Sequence, residues 1–209
     1  MDLQGLRTAL LVIDMQNGFC HADGSLAKAG RSAARLAAPI PACRRLIEQA
    51  RAVKIPVIYT RAVHDPDFAG VSPKFRERET FQEIVRLGFV VKGTWDAEVI
   101  DDLRPEPADY VLDKTTFSAF ISSGIDVLLT ALQIRNLIVC GVATPICVES
   151  TVRDACQHNY RVFVVSDATA DMDPQDHEAA LRIMQRNFAW VVTTDEAVAA
   201  LGGMVRRAA

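Results

Sequence analysis

The sequence predicts an α/β protein: a three-layer α/β/α, doubly wound, Rossmann-like sandwich around a roughly six-stranded parallel sheet. Three observations carry that reading. Short apolar runs rich in Val and Ile alternate with amphipathic stretches along the 209 residues. Most of the runs are apolar at consecutive positions, the pattern of strands covered on both faces. No repeat, low-complexity tract or linker interrupts the alternation, so residues 1–209 are expected to form a single domain, within the size one core supports.

The first run, Ala9–Ile13, ends at Asp14. Ile40, Cys43, Leu46, Ile47, Ala50 and Val53 then recur at helical spacing. Pro56–Thr60 reads as the second strand. The sign-alternating stretch Lys74-Phe75-Arg76-Glu77-Arg78-Glu79 reads as a solvated helix face, and Gly88–Val91 as a short extra strand. Tyr110–Leu112 is the next strand, running into Asp113 and Lys114. Ile125, Leu128, Leu129 and Leu132 mark a helix, and Leu137–Val142 the strand after it. Val162–Ser166 and Trp190–Thr193 complete the six. Between those two, Asp173 can cap a helix whose first turn holds Pro174, where a missing N–H costs nothing. Such alternation lays helices on both faces of a sheet. Ligands of these sheets bind beyond the carboxyl ends of the strands.

The 23 basic and 26 acidic residues are interspersed, for a net charge of −3. No basic block is present, so neither a nucleic-acid nor a membrane partner is expected. Ala9–Ile13 is too short for the apolar segment of a signal peptide or for a membrane span. Five cysteines without a C-x-x-C or a Cys/His spacing suggest neither a disulfide framework nor a zinc site. A reducing, cytoplasmic setting is the expectation.

Three strand ends draw attention: "LLVIDMQNGF" ends at Asp14, "YVLDKTTFSAF" holds Lys114, and "GVATPIC" leads to Cys147. Thr144 is expected to cap the helix that follows, with Pro145 at its first position and Cys147 at its third. A thiol there faces unpaired N–H groups and the positive end of the helix dipole, which favour the thiolate. The same N–H groups suit a developing oxyanion. Each residue alone has an ordinary reading: a core thiol, a turn-forming acid, a solvated lysine. Together they supply nucleophile, base and activating cation. Cys43, Cys140 and Cys156 sit on apolar patterns and read as packing, whereas Cys20 lies in a predicted loop. Phe19 and Phe117 closely follow the Asp and Lys and are pocket candidates, while Phe120 and Trp95 read as core. Asp167 reads as a residue that caps or braces a loop.

"VIDMQNGF", "DKTTFSAF" and "GVATPICVESTVRDA", in this order, resemble the isochorismatase-like cysteine hydrolases. That superfamily includes nicotinamidases and the N-carbamoylsarcosine, biuret and ureidoacrylate amidohydrolases. The resemblance runs from about Thr8 to Leu201, and "KGTWDAEVIDDLRPEPADYVLDK" is similar to the ureidoacrylate branch. It implies an Asp14-Lys114-Cys147 triad, a cis peptide at Val142–Ala143, and an oxyanion hole from the backbone of Ala143 and Cys147. It implies a small amide or ureido substrate, a thioester intermediate, no cofactor, and a homodimer or homotetramer. Replacing Cys147 or Lys114 by Ala is expected to abolish turnover and spare the fold. Two features depart from the family. Pro145 stands where Asp, Asn or Ser is usual, and "RAVHDPDF" offers His64, Asp65 and Asp67 but not the second His of metal-dependent nicotinamidases. No metal is therefore expected, and His64 is either a pocket residue or an exposed loop residue. Isochorismatase-type and nicotinamidase-type hydrolysis, and a non-catalytic redox-sensing role for Cys147, are the competing readings.

Overall fold

The computed structural model describes Leu3 and residues 7–208. Its strands are β1 (Thr8–Ile13), β2 (Val57–Ala62), β3 (Tyr110–Lys114), β4 (Asn136–Val142), β5 (Arg161–Ala170) and β6 (Trp190–Val192). They form one sheet in the order β3-β2-β1-β4-β5-β6, and every pairing is parallel. The helices are α1 (Asn17–Cys20), α2 (Ser25–Lys28), α3 (Ala33–Ala37), α4 (Ile40–Ala52), α5 (Pro73–Arg76), α6 (Glu79–Leu87), α7 (Ile125–Ala131), α8 (Glu149–Gln157), α9 (Pro174–Asn187) and α10 (Thr194–Ala208). Among the described residues, no helix is long and apolar enough to cross a membrane.

All of β1 is buried, and its alternate residues feed two cores. Leu10 and Val12 join Cys43, Leu46 and Ile47 of α4 and Leu201 of α10 on one face. Ala9, Leu11 and Ile13 join Ile125 and Leu129 of α7, Val152 of α8 and Met184 of α9 on the other. Each such aliphatic side chain contributes about 1.5–3 kcal/mol relative to staying in water, which is why consecutive apolar residues make a central strand here. Strand order reverses between β1 and β4, and their carboxyl ends open the cleft where ligands of this architecture bind.

The structure revises several sequence expectations. Gly88–Val91 is not a strand: Gly88 (φ +62°) closes α6, and Val91 makes one isolated bridge to His64. The Lys74–Glu79 charges are solvated, but they straddle the break between α5 and α6 rather than lining one helix. Cys20 lies in α1, buried, with its Sγ 3.5 Å from Leu36 O. β5 runs four residues beyond Ser166, because a bulge lets Thr169 and Ala170 resume pairing with Gly141 and Val142. Asp173 does cap α9, accepting from Gln175 N at 2.8 Å. Gly141 (φ +112°) is where β4 presses on β1: a Cβ there would lie 2.0 Å from Ile13 O.

Candidate active site

Asp14 follows β1 at φ +51°, a left-handed conformation that Asp tolerates better than a branched residue. Backbone bonds from Asp14 N to Thr60 O and from Gln16 N to Asp14 O hold the turn. The Thr60 hydroxyl donates to Asp14 Oδ1 at 2.8 Å. Oδ2 makes no directed hydrogen bond and instead carries the ion pair with Lys114 Nζ at 2.7 Å. Neither side chain of that pair is exposed to solvent.

Lys114 ends β3 and is pinned by donation to Thr116 O at 3.0 Å. Its Nζ also donates to Cys147 Sγ at 3.4 Å. Burial pulls the ammonium toward neutrality, but Asp14 and Cys147 outweigh it and hold its pKa above the ordinary value. The structure thus brings Asp14, Lys114 and Cys147 together around one ammonium group.

Cys147 lies on a π-helical turn, Thr144–Val148, that leads into α8. Ala143, not Thr144, takes the cap position, so Cys147 is the fourth residue of the turn rather than the third. Thr144 is the first residue of the turn, and its buried hydroxyl is engaged with His177 Nδ1 at 2.8 Å. The Val142–Ala143 peptide is cis. The expectation that a helix start alone activates the thiol gives way to desolvation. Burial pushes the Cys147 pKa up to about 12; Lys114 pulls it down, and Asp14 pushes it up. Desolvation thus favours the neutral thiol, and forming the thiolate calls for a proton acceptor. Asp14, with lone-pair capacity on Oδ2, stands against it.

Sequence reasoning missed the residues that hold this cluster in place. Gln16 clamps the end of β2, accepting from Ala62 N and donating to Ala62 O and Ala97 O. Thr151 accepts from Ala119 N and donates to Cys147 O, tying the loop after Lys114 to the thiol's turn. Its spacing, four residues beyond Cys147 on a helix, was a readable signal. Neither Thr60 nor His177 carried a signal in the sequence.

Phe19 packs on the α4-side core, its ring 4.8 Å from Phe89. His64 follows β2, with its ring near Phe68 and Phe81. Burial and then the charge of Lys114 lower its pKa, so it is neutral beside the cluster. Phe117, on the loop after Lys114, is exposed. Phe120 stacks on His158, and Trp95 is exposed with its edge against His21. Asp167 braces the start of α10 by accepting from Thr194 N and Oγ1. A groove of about 410 Å³ between residues 67–76 and α6 adjoins His64 through Phe68 and Phe81 but is not lined by the triad. Among the described residues, no three His, Cys, Asp or Glu side chains are grouped to hold a metal ion.

A doubly wound sheet with acid, amine and thiol gathered beyond its carboxyl ends is the build of an isochorismatase-like hydrolase. The isochorismatase domain family model matches residues 8–196, and the chain belongs to that family. It is 35% identical over 196 residues to the ureidoacrylate amidohydrolase RutB of Azorhizobium caulinodans, covering 89% of this chain and 86% of that protein. A cysteine hydrolase from Pseudomonas syringae pv. phaseolicola 1448A has a similar structure, with a TM-score of 0.86 at 29% identity over 98% of this chain and 96% of that one. N-carbamoylsarcosine amidase from Thermoplasma acidophilum follows the same fold with a TM-score of 0.73 at 33% identity, over 91% of this chain and 98% of that one.

Proposed function

We propose that this chain hydrolyses a C–N bond beside the carbonyl of a small amide or ureido compound, by covalent catalysis on Cys147. One observation carries the reading: a fully buried ammonium, Lys114, within 2.7 Å of Asp14 Oδ2 and 3.4 Å of Cys147 Sγ. A thiol whose pKa is raised to about 12 needs a base at the moment of attack, and Asp14 is that base. Asp14 takes the thiol proton as sulfur bonds to the carbonyl carbon. The N–H groups of Ala143 and Cys147 receive the oxyanion. The C–N bond then breaks, and Asp14 returns the proton to the departing nitrogen, which leaves as ammonia or an amine. Water attacks the thioester while Asp14 accepts its proton, and collapse releases the acid product and the thiol. Lys114 balances charge throughout.

The ureidoacrylate and N-carbamoylsarcosine relatives support this substrate class. His64 and Phe117 are proposed to line the pocket, with Phe19 behind them. A single sheet with a core on each face supports residues 1–209 acting as one domain. A homodimer or homotetramer in the cytoplasm completes the reading; the exposed side chains of Phe117 and Ile121 offer apolar surface for assembly.

The test is ammonia release from ureidoacrylate, N-carbamoylsarcosine, biuret and nicotinamide, with wild type and Cys147→Ala, with and without chelator. Release that requires Cys147 and is unchanged by the chelator is expected. Near-normal release by Cys147→Ala would exclude covalent catalysis at this sulfur.

A further inference from the structure

Past its bulge, β5 pairs Thr169 with Gly141 and Ala170 with Val142. Asp171 is the next residue, directly after the end of β5. It is buried; one carboxylate oxygen accepts from Asp173 N at 2.9 Å and the other has no hydrogen-bond partner. From the first turn of α9, His177 joins the fully buried Thr144 hydroxyl at 2.8 Å. The reaction steps above use neither residue. Burial lowers the pKa of His177 against the opposing pull of Asp171 and Glu178. Asp173 and Asp176, the other nearby acids, are exposed. Near neutral pH the ring is uncharged, with one nitrogen free to accept a hydrogen bond.

We propose that His177 is a positioning residue of the reaction: through the Thr144 hydroxyl it fixes the turn that presents the backbone N–H groups of Ala143 and Cys147 to the oxyanion. This rests on the cysteine-hydrolase reading. Thr144 directly follows Ala143 and opens the turn. Pinning its side chain to a separate helix restricts the peptides on either side of it. Oxyanion donors act within a few tenths of an ångström of their ideal distance, and a misplacement of about 1 Å costs about a hundredfold in rate.

Two reactions at the same sulfur separate positioning from general damage. Iodoacetamide alkylates Cys147 by direct displacement of iodide, with no oxyanion. p-Nitrophenyl acetate acylates it through addition to the ester carbonyl, which forms an oxyanion before p-nitrophenolate leaves. The readout is the ratio of acylation to alkylation rate at Cys147, followed by mass spectrometry. His177→Ala and Thr144→Val are each expected to lower that ratio about tenfold to a hundredfold, less than outright loss of an oxyanion donor would, with alkylation little changed. The double variant should fall no further than either single one. His177→Asn, which keeps a polar atom where Nδ1 stands, and Thr144→Ser should recover most of the ratio. An unchanged ratio, acylation and alkylation falling in step, multiplicative losses in the double variant, or His177→Asn no better than His177→Ala would each overturn the assignment. If His177→Ala fails to fold, the Thr144→Val and Thr144→Ser pair decides alone. Wild type that alkylates but never acylates at Cys147 would instead sink the hydrolase reading itself, before any variant is made.

Discussion

Lys114 is the side chain on which the stability of the site and its chemistry meet. Sequence alone marks it as a cation at a strand end; only the fold shows its side chain and that of Asp14 wholly withdrawn from water. That changes the expectation for Lys114→Ala. Removing one partner of a buried ion pair leaves an uncompensated charge and costs about 3–5 kcal/mol, so this variant should lose stability as well as turnover. Urea unfolding measures the loss. Pairing Lys114→Met with Asp14→Asn should restore most of the stability and none of the activity. If Lys114→Ala unfolds within about 1 kcal/mol of wild type, the pair is not buried as described. Asp14 and Cys147 were legible because an acid ending an apolar strand and a thiol opening a helix are chemically conspicuous. Thr60 and Gln16 were not, because a neutral side chain that braces a carboxylate or a backbone leaves no pattern in one sequence.

At the scale of elements, strand cores were legible and their ends were not. The alternation of burial along β1 follows from side chains that leave a strand on opposite faces, and every residue of it is apolar or a buried Thr. Ends depend on contacts between distant segments, which no local pattern records. β5 outruns its apolar stretch because β4 offers partners past the bulge. The turn expected to be capped by Thr144 starts one residue earlier, with Ala143 at the cap position and the Thr144 hydroxyl bonded to His177 of a distant helix. Gly141 belongs to the same class: its need for glycine comes from Ile13, more than a hundred residues away. Gly141→Ala combines a positive φ with a backbone clash and should cost about 4 kcal/mol or more, or prevent folding. Gly30→Ala shares the positive φ (+71°) but meets nothing within 4 Å, and should cost only about 1–2 kcal/mol. Urea midpoints for the two variants compare them directly. Equal losses would mean that strain, not the approach of β4 to β1, sets the cost at Gly141.

For the whole molecule, the sequence carried the layer architecture, because a parallel sheet sandwiched by helices demands runs of consecutive apolar residues. It did not carry how strongly that core holds its thiols and phenol neutral. Burial raises the pKa values of the Cys20 thiol, the Cys147 thiol and the Tyr59 phenol. Cys43 is raised first by its contact with Cys140 and then by burial. The folded protein therefore keeps protons that the unfolded chain gives up near the ordinary values of 9.0 for Cys and 10.0 for Tyr. Where the folded state binds more protons than the unfolded one, stability falls as pH rises. The stabilisation from keeping these groups neutral is complete below about pH 9 and drains away above it, by about 1.4 kcal/mol per pH unit for each group fully ionised in the unfolded chain. His64 and His177, both with lowered pKa values, act in the opposite window: their contribution is present above the ordinary 6.5 and lost as pH falls below it. Chemical unfolding at pH 8, 9 and 10 should show the alkaline decline. The Cys20→Ala/Cys43→Ala double variant should start less stable at pH 8, because it leaves cavities, yet decline more gently toward pH 10, because two of the protons are gone. A slope equal to wild type would show that those thiols ionise alike in the folded and unfolded states, and that the core on the α4 side admits water.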